Sequence, residues 1–262
     1  MSDYSFTYHD DGFSLEKAGD AGLFIKLGKK EISFLIASQG RLLAWKDRCP
    51  LSAINEDEQL GKILASPFKK VVVGLLPAAL TLIPADLFIP QNTADYARYL
   101  DIKADNKAFT AKLDNGNQLI YRVDKASYEE LAAKIDLNDI TVPADRGWIN
   151  TIAQNEPESH SIYADINAGQ VSLLNFNGAK LRFYNCFKTD GIADVLYYCL
   201  FAAEQLEIKP NQVTLIVSGL CTDADIEQLS QFFNAVKYND AQAIQTSLMV
   251  PSHQVLSLAA LA

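Results

Sequence analysis

The sequence predicts an α/β protein with mixed sheets, made of two similar halves. Two runs of three closely spaced strands occur near residues 23–47 and 162–187, and each run leads into a helix, a strand and another helix. Ile32 and Val171 occupy matching positions in the two runs, 139 residues apart. A chain of 262 residues with 49% hydrophobic residues can bury a sizeable core, so wholesale disorder is excluded.

The first half begins with a predicted antiparallel meander. In residues 23–28, 32–38 and 42–47, apolar side chains recur at every second position, as a half-buried sheet requires. The elements predicted after it are a helix at 54–64, strands at 70–75 and 80–83, a helix at 93–100 with Asn92 as its N-cap, two strands around the Asn115-Gly116 turn, and a helix at 125–135.

One stretch, residues 71–90, is apolar over nearly the length of a membrane-spanning helix. Pro77, Pro84 and Pro90 interrupt it, and the backbone groups that they free would stay unsatisfied in lipid. We therefore predict a pair of short strands here and no insertion into a membrane.

The second half repeats the pattern. The predicted elements are strands at 162–166, 170–176 and 180–187, a helix at 192–206 capped by Asp190, a strand at 213–217 and a helix at 223–233. The long helix is apolar on most sides, and Tyr197, Tyr198 and Phe201 add bulk that one sheet face cannot bury. Two interpretations remain open: these aromatic residues pack against the other half, or they complete the core of their own half.

Composition limits the possible partners and sites. The net charge of −9 disfavours broad binding to nucleic acid or to an anionic membrane surface. The four cysteines form no C-x-x-C pair and the three histidines have no metal-ligand spacing, so we predict no metal site. We also find no catalytic motif. Residues 1–11 contain no apolar run typical of an export signal, so we expect a cytoplasmic location.

A β-β-β-α-β-α order repeated twice is the arrangement of actin-like and ribonuclease H-like proteins, and two blocks of sequence resemble one family with this fold. The blocks are residues 80–88 with Tyr96 and Tyr99, and residues 184–187 with 194–198, 204–206 and 217–219. They resemble an uncharacterised bacterial family, the domain-of-unknown-function 3822 family, over about residues 23–233. The resemblance implies an actin-like ATPase fold of two ribonuclease H-like halves. We place these at residues 1–155, with an inserted hairpin and helix, and 156–262.

The resemblance also implies where a nucleotide would bind, since actin-like ATPases hold the phosphates in two turns and the adenosine beside a pair of glycines. In the first turn Gly28 is present, but Lys26 stands where a carboxylate organises the hydrated Mg²⁺. In the second turn Asp165 and Gly169 are present, but Asn167 replaces a glycine.

The adenosine loop departs from the pattern as well. Ser218-Gly219 keeps one of two glycines, and Leu220 would fill space that a purine occupies. Seven positions therefore define a degenerate nucleotide cleft: Lys26, Gly28, Asp165, Asn167, Gly169, Ser218 and Gly219.

These departures favour a non-catalytic, actin-like scaffold or protein-interaction module with an unknown protein partner and no cofactor. The alternative is a weak ATP-binding protein or ATPase that uses ATP and Mg²⁺ at an altered phosphate site around Asp165 and Gly219. A third interpretation is a nucleic-acid-processing protein, which needs several carboxylates around two metals, and Asp165 has no companion in the matching strands. Enzymatic activity stays open, and its absence is favoured.

Overall fold

The computed structural model describes residues 7–178 and 180–262. Residues 1–6, half of the segment considered for an export signal, lie outside the described residues.

The predicted strands and helices occur in the predicted order. The first part of the chain contains β1 (Tyr8–His9), β2 (Gly22–Leu27), β3 (Glu31–Ser38), β4 (Arg41–Pro50), α1 (Ala53–Glu56), α2 (Glu58–Ala65), β5 (Lys70–Leu75), β6 (Ala79–Ile83), α3 (Thr93–Ala97), β7 (Asn106–Lys112), β8 (Gln118–Asp124), α4 (Lys125–Ala132), β9 (Thr141–Pro143) and α5 (Arg146–Ala153). The second part contains β10 (Ser161–Asn167), β11 (Gln170–Asn177), β12 (Lys180–Lys188), α6 (Ile192–Gln205), β13 (Thr214–Gly219), α7 (Asp223–Leu229), β14 (Ala235–Tyr238) and α8 (Ser252–Ala259). Five of these elements lie beyond the predicted ones: β1, β9, α5, β14 and α8.

Two mixed sheets have the same core strand order. The first sheet runs β1-β4-β3-β2-β5-β9 and the second runs β12-β11-β10-β13-β14. β2 pairs antiparallel with β3 and parallel with β5, and β10 pairs antiparallel with β11 and parallel with β13. The two predicted meanders therefore form equivalent parts of two separate sheets. The division of the chain at residue 155 stays a prediction.

A third, smaller sheet is antiparallel and has the order β6-β8-β7. It contains the predicted hairpin, in which Gly116 takes the left-handed φ of +88° that the tight turn requires. The expected pair of strands in residues 71–90 is wrong in one respect. Both strands form, but β5 joins the first sheet and β6 joins this third sheet, so they do not pair with each other.

Helices cover both faces of the first sheet. On one face, Leu60 and Ile63 of α2 are buried in a cluster with Ile25 of β2. On the other face, Val255 and Leu258 of α8 are buried in a cluster with sheet residues that include Phe24, Leu35 and Trp45. Burial of apolar surface on both faces is the main stabilising contribution to a sheet of this kind.

The second sheet is covered in the same way. Val195 and Cys199 of α6 are buried against Ile162 and Leu173 on one face. Trp148 of α5 belongs to the cluster that holds the other face of this sheet, with Tyr163, Leu174 and Ile216. α8, which follows the second sheet in the chain, therefore covers one face of the first sheet and also lies against β13 of the second, while α5 belongs to a cluster that contains residues of both sheets.

α5 and the end of α8 meet at a glycine. A Cβ at Gly147 of α5 would collide with the backbone carbonyl oxygen of Ala260, directly after α8. Only glycine permits this approach without a shift of the backbone.

Several predicted helices differ in their ends, for local reasons. The helix predicted at 54–64 is two helices, because the Asp57 carboxylate accepts hydrogen bonds from the backbone N–H groups of Gln59 and Leu60 and caps α2. Asn92 makes no side-chain cap. Asp190 does not cap α6 either, because its own backbone N–H donates to the Asp194 carboxylate and Gly191 occupies the N-cap.

Of the two interpretations left open for the aromatic residues of α6, neither holds in full: these residues pack within the second part of the chain, but Tyr197 and Phe201 are exposed and do not belong to its core. The Tyr197 side chain is 61% exposed and Phe201 is 38% exposed. The Tyr197 ring contacts Tyr198 and Phe201, and Phe187 of β12 contacts Phe201 and stacks on Tyr198 with 4.3 Å between ring centroids. They form a surface cluster within their own half.

None of the helices in the described part of the chain has both the length and the apolar character needed to cross a membrane.

Candidate functional site

A cavity of about 500 Å³ lies between the two main sheets. Its walls come from the β2–β3 turn, the β10–β11 turn, the end of β12 and the residues that follow β13. Five of the seven predicted cleft residues line it: Lys26, Gly28, Asn167, Gly169 and Gly219. Asp165 does not line the cavity but is buried and hydrogen-bonded to Asn167. The structure therefore brings together residues that are more than 100 positions apart in the sequence.

Lys26 reaches across this cleft from the first sheet. Its ammonium group donates to Asn167 Oδ1 at 2.7 Å and to Ser257 Oγ of α8 at 2.7 Å. Its Nζ atom is 3.7 Å from Asp165 Oδ2. The Lys26 side chain is only 11% exposed and the Asp165 side chain is fully buried, so solvent screens this ion pair weakly. Ser257 was not predicted, because α8 itself was not predicted.

Asn167 joins the same network from β10. Its amide nitrogen donates to Asp165 Oδ2 at 3.0 Å, and its amide oxygen accepts from Lys26. Asn167 thus connects the buried carboxylate to the ammonium group. The other carboxylate oxygen, Asp165 Oδ1, is buried and has no hydrogen-bond partner among the described residues.

The predicted glycines differ in what they require. Gly219 has φ +79°, and a Cβ there would collide with the Ile166 carbonyl oxygen, so glycine is needed for the close approach of β13 to β10. Gly169 has φ +72° in the β10–β11 turn. Gly28 has space for a Cβ, since its nearest contact would be the Glu31 carbonyl oxygen at 3.4 Å. Ser218 lies within the sheet, and its buried hydroxyl has no hydrogen-bond partner in the part of the chain that the structure describes.

A second buried carboxylate, Asp145, lies beside the site and was missed. It sits at the start of α5, and its Oδ2 atom accepts from Ser172 Oγ at 2.6 Å and from the Tyr184 hydroxyl at 2.8 Å. Burial raises the pKa of the Asp145 carboxyl, and the Asp165 carboxylate raises it further. The signal in the sequence was an acid directly after a short strand and before a helix.

Asp145 is thus the companion of Asp165 that the matching strands did not reveal. It lies outside those strands, on the segment that joins β9 to α5. Both acids interact with the ammonium group of Lys26. This group pairs with Asp165, and it lowers the pKa of Asp145, whereas burial raises that pKa. Among the described residues, no group of three or more His, Cys, Asp and Glu side chains is arranged to hold a metal ion.

Comparison with known proteins places this geometry in a family. The family model described as "Protein of unknown function (DUF3822)" matches residues 10–237. No curated protein gives a significant match.

Solved structures show the same fold at low sequence identity. A Bacteroides thetaiotaomicron protein described as having an actin-like ATPase fold and unknown function is similar at 18% identity and a TM-score of 0.76, with 95% of this chain and 98% of that chain covered. A chain of the PilM-PilN type IV pilus biogenesis complex is similar at 12% identity and a TM-score of 0.55, with 91% and 97% covered. The chain therefore belongs to the DUF3822 family, and its two mixed sheets form an actin-like ATPase fold.

Proposed function

We propose that this protein is a non-catalytic, actin-like scaffold or protein-interaction module in which side chains, and not a nucleotide, connect the two sides of the cleft. The observation that carries the proposal is the position of Lys26, whose ammonium group binds Asn167 and Ser257 and pairs with Asp165. In actin-like ATPases a bound nucleotide links the two halves. Here β2, β10 and α8 are already linked across the same space.

The residues present do not fit a Mg²⁺-nucleotide complex. Magnesium needs oxygen ligands, and an ammonium group at the mouth of the first phosphate turn repels a cation. Asp145 and Asp165 are fully buried, and Asp145 already accepts two hydrogen bonds. Four further acids line the cavity, Glu31, Asp47, Asp124 and Asp190, and of these Asp47 and Asp124 are paired with Arg48 and Lys29. We therefore assign no catalytic residue and derive no hydrolytic step.

A role in assembly agrees with the fold comparison, since PilM is similar in fold and was solved as a complex with another protein, PilN. The partner of this chain is not identified by that similarity, because 12% identity carries the fold alone.

A thermal-shift titration with ATP and Mg²⁺, combined with a phosphate-release assay, tests the proposal. A ligand that binds only the folded state raises the unfolding temperature by mass action, so we expect no shift and no phosphate above the protein-free control. Lys26→Asp alone should not create activity, because Asn167 and Leu220 still alter the other two parts of the cleft. Magnesium-dependent turnover that is lost in Asp165→Ala would overturn the proposal.

The second candidate is an ATP-binding protein with weak or no hydrolysis. The size of the cavity favours it, because about 500 Å³ lies within the usual range for small-molecule sites. The left-handed glycines Gly169 and Gly219 also keep backbone close to the cavity. A saturable thermal shift with ATP, but no phosphate release, would select this candidate over the scaffold.

A further inference from the structure

Residues 84–105, between β6 and β7, carry several exposed apolar side chains. Four of the nine large hydrophobic side chains that are exposed among the described residues lie here: Leu87 (64%), Ile89 (50%), Tyr99 (81%) and Ile102 (40%). Scattered apolar side chains on a surface are ordinary, but a concentration within one short segment is a sign of an interaction site.

The segment is a folded unit, so these side chains are not exposed for lack of structure. The Tyr96 hydroxyl accepts from the backbone N–H of Ile89 at 3.1 Å and donates to the carbonyl oxygen of Leu87 at 3.2 Å. The Tyr96 ring packs on Phe88, with centroids 5.7 Å apart. Leu87 and Ile89, which flank Phe88, are thereby held with their side chains outward beside α3.

The end of the segment is also fixed. Leu100 is buried with Ile83 and Ile120 in a small core, and its carbonyl oxygen accepts from Arg122 Nε at 2.7 Å. Tyr99 and Ile102 flank this anchored residue and remain exposed.

The charges of the segment are unequal. It contains four acids and two bases, and both bases are already used: Arg98 pairs with Asp95 at 3.2 Å and Lys103 pairs with Asp101 at 3.5 Å. No ion pair is found within the described residues for the exposed Asp86 and Asp105. An apolar surface with unpaired carboxylates at its margins attracts a partner with positive charge.

We propose that residues 84–105 form a docking surface for a basic, amphipathic segment of a partner protein. The exposed apolar side chains would receive the apolar face of the partner, and Asp86 and Asp105 would face its Lys or Arg side chains. A second copy of this chain is disfavoured as the occupant. Two copies that met through this surface would oppose like charges, and the whole chain carries a net charge of −9. The inference rests on the proposed scaffold function only in requiring a protein partner.

A synthetic amphipathic helix of leucine and lysine residues is the probe, measured by fluorescence anisotropy against the full chain. A leucine and glutamate helix of the same pattern is the control for charge. We expect the lysine helix to bind, the glutamate helix to fail, and the affinity to fall as salt is raised.

Two double variants, each compared with a matched control, locate the site at which the lysine helix binds. Leu87→Ser with Tyr99→Ser should weaken binding of the lysine helix by about tenfold or more, since apolar anchors carry most interface energy. Tyr197→Ser with Leu248→Ser removes the same side-chain types from exposed positions elsewhere, and it should have little effect. Asp86→Asn with Asp105→Asn should weaken binding more than Glu204→Gln with Glu227→Gln, which changes the net charge equally.

Three results would overturn the docking surface: no binding of the lysine helix, equal losses in the two Leu and Tyr double variants, or self-association of the protein that Leu87→Ser with Tyr99→Ser abolishes. The same variants are tested for phosphate release from ATP. Phosphate release by these proteins would overturn the scaffold function but would say nothing about the docking surface. Failure of one proposal can therefore be distinguished from failure of the other.

Discussion

Among single residues, Lys26 combines burial, charge and long-range contact. Its ammonium group belongs to β2, but its partners come from β10 and α8, at sequence separations of 141 and 231 residues. Removal of one member of a buried ion pair is costly because it leaves the other charge unpaired, whereas an exposed pair contributes little.

Lys26→Met keeps most of the side-chain length and removes the charge. We expect it to lower the free energy of unfolding by about 3 kcal/mol, because Asp165 is left buried without its cation. Lys29→Met is the matched control: Lys29 is three residues away and pairs with Asp124 at 3.3 Å, but its side chain is 66% exposed. This control should cost less than about 1 kcal/mol. Urea unfolding measures both values, and equal small losses would contradict the linking role of Lys26.

Asp145 makes stability depend on pH. Because its pKa is raised in the folded protein above the ordinary value of 3.8, the unfolded chain releases this proton at lower pH than the folded chain does. The proton on Asp145 therefore stabilises the folded protein at low pH. This stabilisation is lost as the pH rises from the ordinary pKa of the carboxyl through its raised pKa in the folded protein.

Asparagine cannot titrate, so Asp145→Asn should remove that decline. We expect the variant to gain stability relative to the natural protein as the pH is raised from about 4 to about 8. Urea unfolding at several pH values measures the difference, with the exposed Asp86→Asn as control. A difference that shrinks with rising pH would show that the proton at Asp145 is not held in the folded state.

At the scale of helices and strands, the sequence predicted best where a side-chain pattern is local. The alternating strands of both meanders are confirmed as β2 to β4 and β10 to β12, because one buried face imposes a two-residue period. The short helix α5 and strands β9 and β14 were not predicted, because few residues carry their pattern and their partners are distant in the sequence.

The candidate site was predicted in its residues but not in its bonding. Lys26, Asn167 and Gly219 were named because the resemblance to actin-like ATPases implies that they lie at the nucleotide cleft, and the structure brings them to one cavity. Their hydrogen bonds depend on the placement of two sheets, which no local pattern determines. Ser257 and Asp145 reach the site only because tertiary packing brings α8 and the start of α5 next to it. Their role could therefore not be predicted without the fold. The nucleotide assignment of the cleft stays a prediction.

The crossing of α5 and α8 depends on a small residue. Gly147→Ala should lower the free energy of unfolding by about 2 kcal/mol, because the added methyl group meets backbone at Ala260 and the helices must separate. Gly61→Ala is the control, since Gly61 lies in α2 with no atom within 4 Å of a Cβ. That substitution should stabilise the protein by about 0.5 to 1 kcal/mol through helix propensity. If Gly147→Ala has the same sign, the helices do not approach as closely as described.

For the whole molecule, α8 packs on both sheets and helps to join them into one core. Buried residues of both sheets, including Ile25 and Tyr163, belong to a single apolar cluster. A sheet that depends on a helix from the other part of the chain cannot keep its core when that part unfolds. Unfolding should therefore be cooperative over the whole chain.

The two tryptophans test this cooperativity, because Trp45 lies in the first sheet and Trp148 lies in the helix that packs on the second. We prepare Trp45→Phe and Trp148→Phe, so that fluorescence reports one location in each variant. In both variants the urea midpoint from fluorescence should equal the midpoint from circular dichroism. Separate transitions in either variant would mean that the parts of the chain unfold independently.

The position of α8 on the first sheet also affects the order in which the protein folds during synthesis. Ribosomes deliver the first sheet long before α8, so Phe24, Leu35 and Trp45 have no cover on one face while the second sheet is still being synthesised. An apolar sheet face left open during translation is prone to aggregation. The first sheet can therefore complete its native packing only after the second sheet and α8 have been translated.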